Sequence, residues 1–274
     1  DMINCFFNME YENRGDLFEG LKIWEHEEYK KLQGTQPVLF LSFAGIKEKT
    51  YERAVLSLGK KIKEIYVHMK HIINTDKFDL IEKDDYQMLM RDVKETDISD
   101  SLNMLCRYMN IYYEKKVMIL LDEYDTPLQE AYVNGYWDEM SGLIRSLFNN
   151  TFKTNKYMSR SILTGITRVS KESMFSDLNN LELCTMSSAK YCQHFGFTRK
   201  EVTDSMKSFG YTNKEEVKYW YDGFTIGTEH DMYNPWSIIN FLDKGVLAPY
   251  WSNSSSNSLV GKLLREGDRG QKQD

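Results

Sequence analysis

Two adjacent carboxylates, Asp122 and Glu123, follow the apolar run Val117-Met-Ile-Leu-Leu121. Five apolar residues bounded by polar ones read as a strand buried on both faces, and parallel sheets present ligands at the carboxyl ends of such strands. At that position one carboxylate can hold Mg²⁺ against a bound phosphate. The hard cation takes one or two carboxylates and completes its shell with water and phosphate oxygens. The neighbouring acid can polarise an attacking water. A strand followed by a solvated acidic turn fits the same two residues, so the pair alone leaves both readings open. Asp125 suits the cap of a helix that Pro127 begins.

A second group, Thr164, Thr167 and Arg168, sits at the exit of the run Arg160-Ser-Ile-Leu-Thr-Gly165. An arginine just beyond a parallel strand can reach a phosphate held on a neighbouring loop, and a strand-end hydroxyl can position water. A surface arginine beside loop-capping threonines is an equal reading. No GxxxxGK[ST] segment is present in the 274 residues. His68 and His71, three apart, read as a solvated helix face rather than a zinc site.

These groups must be placed by secondary structure. Pro37–Phe43 and Arg160–Gly165 read as strands beside Val117–Leu121, the last two as buried ones, and Leu181–Met186 as a further short strand. Between the first two lie helical stretches over Thr50–Ile73, Asp84–Met90 and Ile98–Tyr113, the last capped near Asp97 or Ser99. Tyr136–Phe152 is an amphipathic helix with Met140, Leu143, Ile144, Leu147 and Phe148 on one face. Strands joined by long helical crossovers predict a parallel α/β sheet. From Ser187 the texture changes to short helical pieces rich in aromatics. Thr198 with Glu201 forms a capping box, Asn234-Pro235 starts a helix, and a hairpin is expected near Tyr221–Tyr233. Trp220, Tyr221, Trp236, Tyr250 and Trp251 are expected in a core rather than on a partner surface. Domains are therefore expected over 1–186 and 187–274, the second ending in a polar Ser252–Ser258 patch and a frayed tail after Gly267.

Composition narrows the classes. Hydrophobic residues at 41% and charged ones at 28% are those of an ordinary globular protein, which argues against disorder. A net charge of −6 gives no electrostatic case for wrapping nucleic acid, and no apolar run approaches a membrane span. The four scattered cysteines lack a CxxC pair, so free thiols and a cytoplasmic location are expected.

Six strings then carry a resemblance: Leu120-Leu-Asp-Glu-Tyr-Asp-Thr-Pro127, Leu163-Thr-Gly-Ile-Thr-Arg-Val-Ser-Lys-Glu-Ser173, Phe175-Ser-Asp-Leu-Asn-Asn180, Trp220-Tyr-Asp-Gly-Phe224, Tyr233-Asn-Pro-Trp-Ser237 and Tyr250-Trp-Ser-Asn-Ser-Ser-Ser-Asn257. In order and spacing they resemble the bacterial AAA-ATPase-like family, P-loop proteins often followed by a PD-(D/E)XK nuclease-type domain. The resemblance implies a P-loop NTPase-like α/β core with a smaller, mainly helical, lid-like region, and ATP with Mg²⁺ as ligands of the intact protein. It assigns Walker B to Asp122 as the metal-binding acid and Glu123 as the water-polarising base, with Thr164 and Arg168 as sensor-like residues. In the family the phosphate-binding loop precedes a helix ending in a pattern like Met2-Ile-Asn-Cys-Phe-Phe7. The chain is therefore expected to be a fragment without that loop or the nuclease-type domain, through which alone nucleic acid would be met. Such a fragment is expected to bind MgATP weakly and not to turn it over. Apolar sheet surface left uncovered would favour marginal stability or homo-oligomer association.

Overall fold

The computed structural model describes residues 1–166, Leu178 and 181–251. The chain divides into two compact units, Asp1–Asn179 and Asn180–Asp274.

In the first unit, helices α1 (Met2–Phe7) and α2 (Glu27–Lys30) precede strand β1 (Val38–Ser42). The Asp16–Trp24 segment forms two 3₁₀ turns, Gly15–Phe18 and Lys22–Glu25. Helices α3 (Tyr51–His68), α4 (Leu80–Arg91) and α5 (Glu95–Tyr113) lead to β2 (Val117–Asp122). Helices α6 (Thr126–Asn134) and α7 (Trp137–Phe152) lead to β3 (Met158–Leu163). The strands form one parallel sheet in the order β1-β2-β3, with Ser42 in register with Asp122 and Leu121 with Leu163. Both crossovers are helical, as parallel pairing of strands this far apart in sequence requires.

Alternation along the strands separates two cores. Leu39, Leu41, Val117, Ile119 and Leu121 enter the large cluster formed with the helices, whereas Val38, Met118 and Leu120 pack with Phe7 and Phe40 on the other face. β2 is thus covered on both sides. β3 differs from the expected buried strand: its residues are half-buried or exposed, with Ile162 40% exposed, because it is an edge strand of the described sheet. Uncovered apolar surface is found there and not at β2.

Local signals account for the helix bounds. Thr50 caps α3, and Asp79 with Glu82 forms a reciprocal capping box that starts α4 earlier than its apolar spacing suggested. α5 also starts early. Asp97 lies inside its first turn, where its carboxylate accepts from the Lys94 N–H at 3.0 Å. α3, α4 and α5 enclose three tyrosines in ring contact, Tyr86 meeting Tyr66 at a tilt and Tyr108 edge to face, each with a satisfied hydroxyl. Tyr66 donates to the Ser101 carbonyl at 2.7 Å, Tyr86 to that of Tyr66 at 3.0 Å and Tyr108 to that of Glu82 at 3.2 Å.

The second unit contains α8 (Arg199–Ser208), α9 (Lys214–Tyr221), an antiparallel hairpin of β4 (Phe224–Ile226) and β5 (Glu229–Met232), and α10 (Pro235–Lys244). The Thr198/Glu201 capping box and the Asn234 cap ahead of Pro235 are both formed. Val202, Met206, Val217, Tyr221, Ile238 and Phe241 make its core. Two expectations fail here. Among the described residues Leu181–Met186 pairs with no strand, and its Leu181, Leu183 and Met186 are exposed. Trp220, Trp236 and Trp251 are exposed rather than core; for the first two this is because the buried faces of α9 and α10 run through Val217 and Tyr221 and through Ile238 and Phe241. The Ser252–Ser258 patch and the tail lie outside the described residues.

Candidate functional site

Strand β2 runs through the middle of the sheet, and its last residue, Asp122, stands at the carboxyl edge between Ser42 of β1 and the exit of β3. The pairing of β2 with β3 continues one step past the strand ends. Thr164 N–H donates to the Leu121 carbonyl at 2.9 Å, and Tyr124 N–H donates to the Thr164 carbonyl at 3.1 Å. This fixes Thr164 beside Asp122, whose Oδ1 accepts from the Thr164 hydroxyl at 2.6 Å. On the other side, Phe43 N–H donates to the Asp122 carbonyl at 2.8 Å. The half-buried Asp122 carboxylate is thus oriented at a strand end where a parallel sheet opens to ligands.

Glu123 takes a left-handed backbone conformation with φ 49°. A residue with a β-carbon is strained there and stays only where its surroundings hold it. Here the hold is double: the Tyr124 N–H is tied to β3, and the Thr126 N–H donates to the Glu123 carbonyl at 3.0 Å. The turn sends Glu123 away from the strand direction. Its Oε2 then accepts from the Thr126 hydroxyl at 3.1 Å.

Asp125 is fully buried under this turn. It occupies the cap position of α6, and Pro127 falls in the first turn, but its carboxylate makes no capping bond. Instead Oδ2 accepts from Gln129 Nε2 at 2.8 Å, and the carboxylate lies against the backbone of Gly165. A β-carbon on Gly165 would fall 2.5 Å from Asp125 Oδ1 and 2.8 Å from Tyr124 Cε1. Glycine is required for the two exits to approach this closely.

The structure therefore joins Asp122 to Thr164 and turns the adjacent Glu123 toward Thr126. Thr167 and Arg168 lie outside the described residues. Three residues enter that the strand-end reasoning missed: Thr126, which restrains Glu123; Gly165, which admits Asp125; and Ser42, in register with Asp122. Only Thr126 left a local signal, as a hydroxyl residue before a proline at a helix start. The other two are set by pairing across the sheet.

Among the described residues no group of three or more His, Cys, Asp or Glu side chains could cage a metal. His68 instead bonds to Glu10 at 2.8 Å, and His71 to the Tyr113 hydroxyl at 3.1 Å. A strand-end aspartate with one neighbouring glutamate and hydroxyls fits Mg²⁺ that keeps water and phosphate ligands, and does not fit an all-protein zinc site. The four cysteines are free thiols, and no helix of the described residues is long and apolar enough to cross a membrane.

The chain is similar to an uncharacterized protein in the vnfD 5′ region of Azotobacter chroococcum mcd 1, with 27% identity over 154 residues. That stretch is 56% of this chain and 30% of the relative, so the chain spans about a third of its length. No solved structure matches. Residues 1–175, which contain the three strands of the parallel sheet and the Asp122–Thr164 pair, match the family described as "Predicted AAA-ATPase", and the chain belongs to that AAA-ATPase-like family.

Proposed function

We propose that the first unit is the metal-binding side of a P-loop NTPase-like site, which in the intact protein binds and hydrolyses ATP. The observation that carries this reading is Asp122 at the carboxyl end of the central parallel strand, oriented by the Thr164 hydroxyl at 2.6 Å and followed directly by Glu123. Asp122, the Walker B acid in this reading, would hold Mg²⁺. When bound, the cation supplies charge neutralisation at the phosphate oxygens. Glu123 accepts the proton of the attacking water, and Thr126 sets where its carboxylate waits. Thr164 and Arg168 are the sensor-like pair in this proposal.

Backbone N–H groups and a lysine of a GxxxxGK[ST] loop provide much of the phosphate affinity in such sites, and these 274 residues contain no such loop. Calorimetric titration of these residues alone is accordingly expected to show no micromolar MgATP binding. An in-frame Gly-Lys-Ser or Gly-Lys-Thr in the coding DNA upstream of Asp1 would support this reading, and its absence would favour a non-catalytic interaction module. In protein that includes that loop, Glu123→Gln should lower turnover by about 100-fold or more while leaving MgATP affinity nearly unchanged. Retained turnover in this variant would remove Glu123 from its role.

A further inference from the structure

The other edge of the sheet offers a different kind of site. Along a parallel strand, successive residues alternate the edge to which their N–H and C=O point. In β1 the residues facing β2 are bracketed by two observed bonds, Met118 N–H to the Pro37 carbonyl at 2.9 Å and Phe43 N–H to the Asp122 carbonyl at 2.8 Å. Gln36 faces the opposite edge. There its N–H donates to the Phe7 carbonyl at 2.8 Å, and its carbonyl accepts from the Met9 N–H at 3.0 Å, forming a parallel bridge with Asn8. By the same alternation Val38, Phe40 and Ser42 also face outward. The 3₁₀ turn Met9–Tyr11 carries the chain away after one bridge, and among the described residues no main-chain bond reaches these three from that side.

The edge lies at the bottom of a groove of about 400 Å³, with Lys61, Ile65 and His68 of α3 on one wall and Asn4, Asn8 and Tyr11 on the other. We propose that this groove binds an extended polypeptide segment of a partner protein, which adds to the sheet as a strand beside β1. Outward donors and acceptors recur every second residue, at about 6.6 Å, and an extended peptide main chain repeats at the same interval. The chain's own Phe7–Met9 segment already uses this mode on the same edge, and the open stretch is its direct continuation. The recess selects the occupant. A single free segment can enter this recess directly, whereas a second folded copy would have to bring in an edge that lies in the same kind of groove.

Charge gives the segment a direction. Lys61 reaches the Ser42 end, where its Nζ lies 3.6 Å from the position a β-carbon would take on Gly45. Glu10, bonded to His68, marks the Asn8 end, and Glu64 lies along the α3 wall between them. The preferred segment carries an acidic residue at the Lys61 end and a basic one toward Glu10.

Heptapeptides displayed on phage and selected against the 274-residue protein provide the probe, and amide hydrogen exchange followed by NMR provides the readout. In the free protein the amides of Val38, Phe40 and Ser42 should exchange at least about tenfold faster than those of Leu39 and Leu41, and a selected peptide should slow those three by a similar factor. Phe40→Pro removes an outward donor without removing a bond to β2, and Glu64→Trp narrows the groove from its exposed rim. Each should weaken the selected peptide by about tenfold or more. If the proline variant does not fold, the tryptophan variant carries the test. The proposal is overturned if no sequence is enriched, if peptide protection appears elsewhere, or if the folded variants bind as the parent does. Protection of the three amides by raising protein concentration alone would assign the edge to a second copy and equally overturn it. None of these readouts depends on nucleotide.

Discussion

Gly165 is the residue through which the two strand exits are joined. Gly165→Ala forces a β-carbon into the Asp125 carboxylate and the Tyr124 ring, and overpacking of this kind costs about 1–3 kcal/mol. Gly142, exposed inside α7 with nothing near its missing β-carbon, is the matched control. There alanine should raise stability by about 0.5–1 kcal/mol through helix propensity. Urea midpoints of the two variants should therefore move in opposite directions, and a Gly165→Ala midpoint equal to the parent's would dissolve the proposed coupling of the exits. At this scale the acids were legible in the sequence because an apolar run ending in Asp-Glu marks a strand end without further information. Their partners were not. Thr164 was placed near the site by its own strand end, but its bond to Asp122 depends on register across 42 residues. Asp125 resembled a helix cap in sequence, and only the approach of Gly165 shows why its carboxylate is buried instead.

Among the elements, the α3–α4–α5 layer is held by buried ionisable groups that must stay neutral. Burial pushes the Tyr66 and Tyr86 hydroxyls well above the usual tyrosine value, Tyr108 up to about 12 and the Cys106 thiol up to about 12. Raised folded values stabilise the native state fully below the unfolded values and lose that contribution as pH rises through the folded ones. Stability should therefore hold to about pH 8.5, where an unfolded cysteine starts to ionise, and fall more steeply beyond pH 10, where unfolded tyrosines do. Urea midpoints between pH 8 and 11 measure the trend. The slope above pH 10 should reach at least about 1.4 kcal/mol per pH unit, the value for one fully shifted proton, and should be reduced in Tyr66→Phe. A flat profile would contradict the burial of these hydroxyls. The helices themselves were readable from three-and-four spacing and caps, because those signals are local. β3 reads as buried in sequence since its Ile162 and Leu163 look like core, but an edge position depends on what pairs beyond it.

For the whole molecule, each unit has its own apolar core, one around the parallel sheet and one around α8–α10. Scanning calorimetry is expected to show more than one transition, with a calorimetric enthalpy larger than the van't Hoff value. A single two-state transition would mean that the two cores unfold as one. The parallel α/β class followed from alternating strands and helices. The exposure of Trp220 and Trp236 did not, because aromatic content says what a residue is able to bury, not which face of a short helix turns inward. The register of the sheet also has a consequence for synthesis. Val38 pairs with Met118, eighty residues later, so the apolar strand β1 leaves the ribosome long before its partner exists. At ~5–20 residues per second that interval is about 4–16 s, during which Val38-Leu-Phe-Leu41 must be shielded by its own nascent helices or by a chaperone.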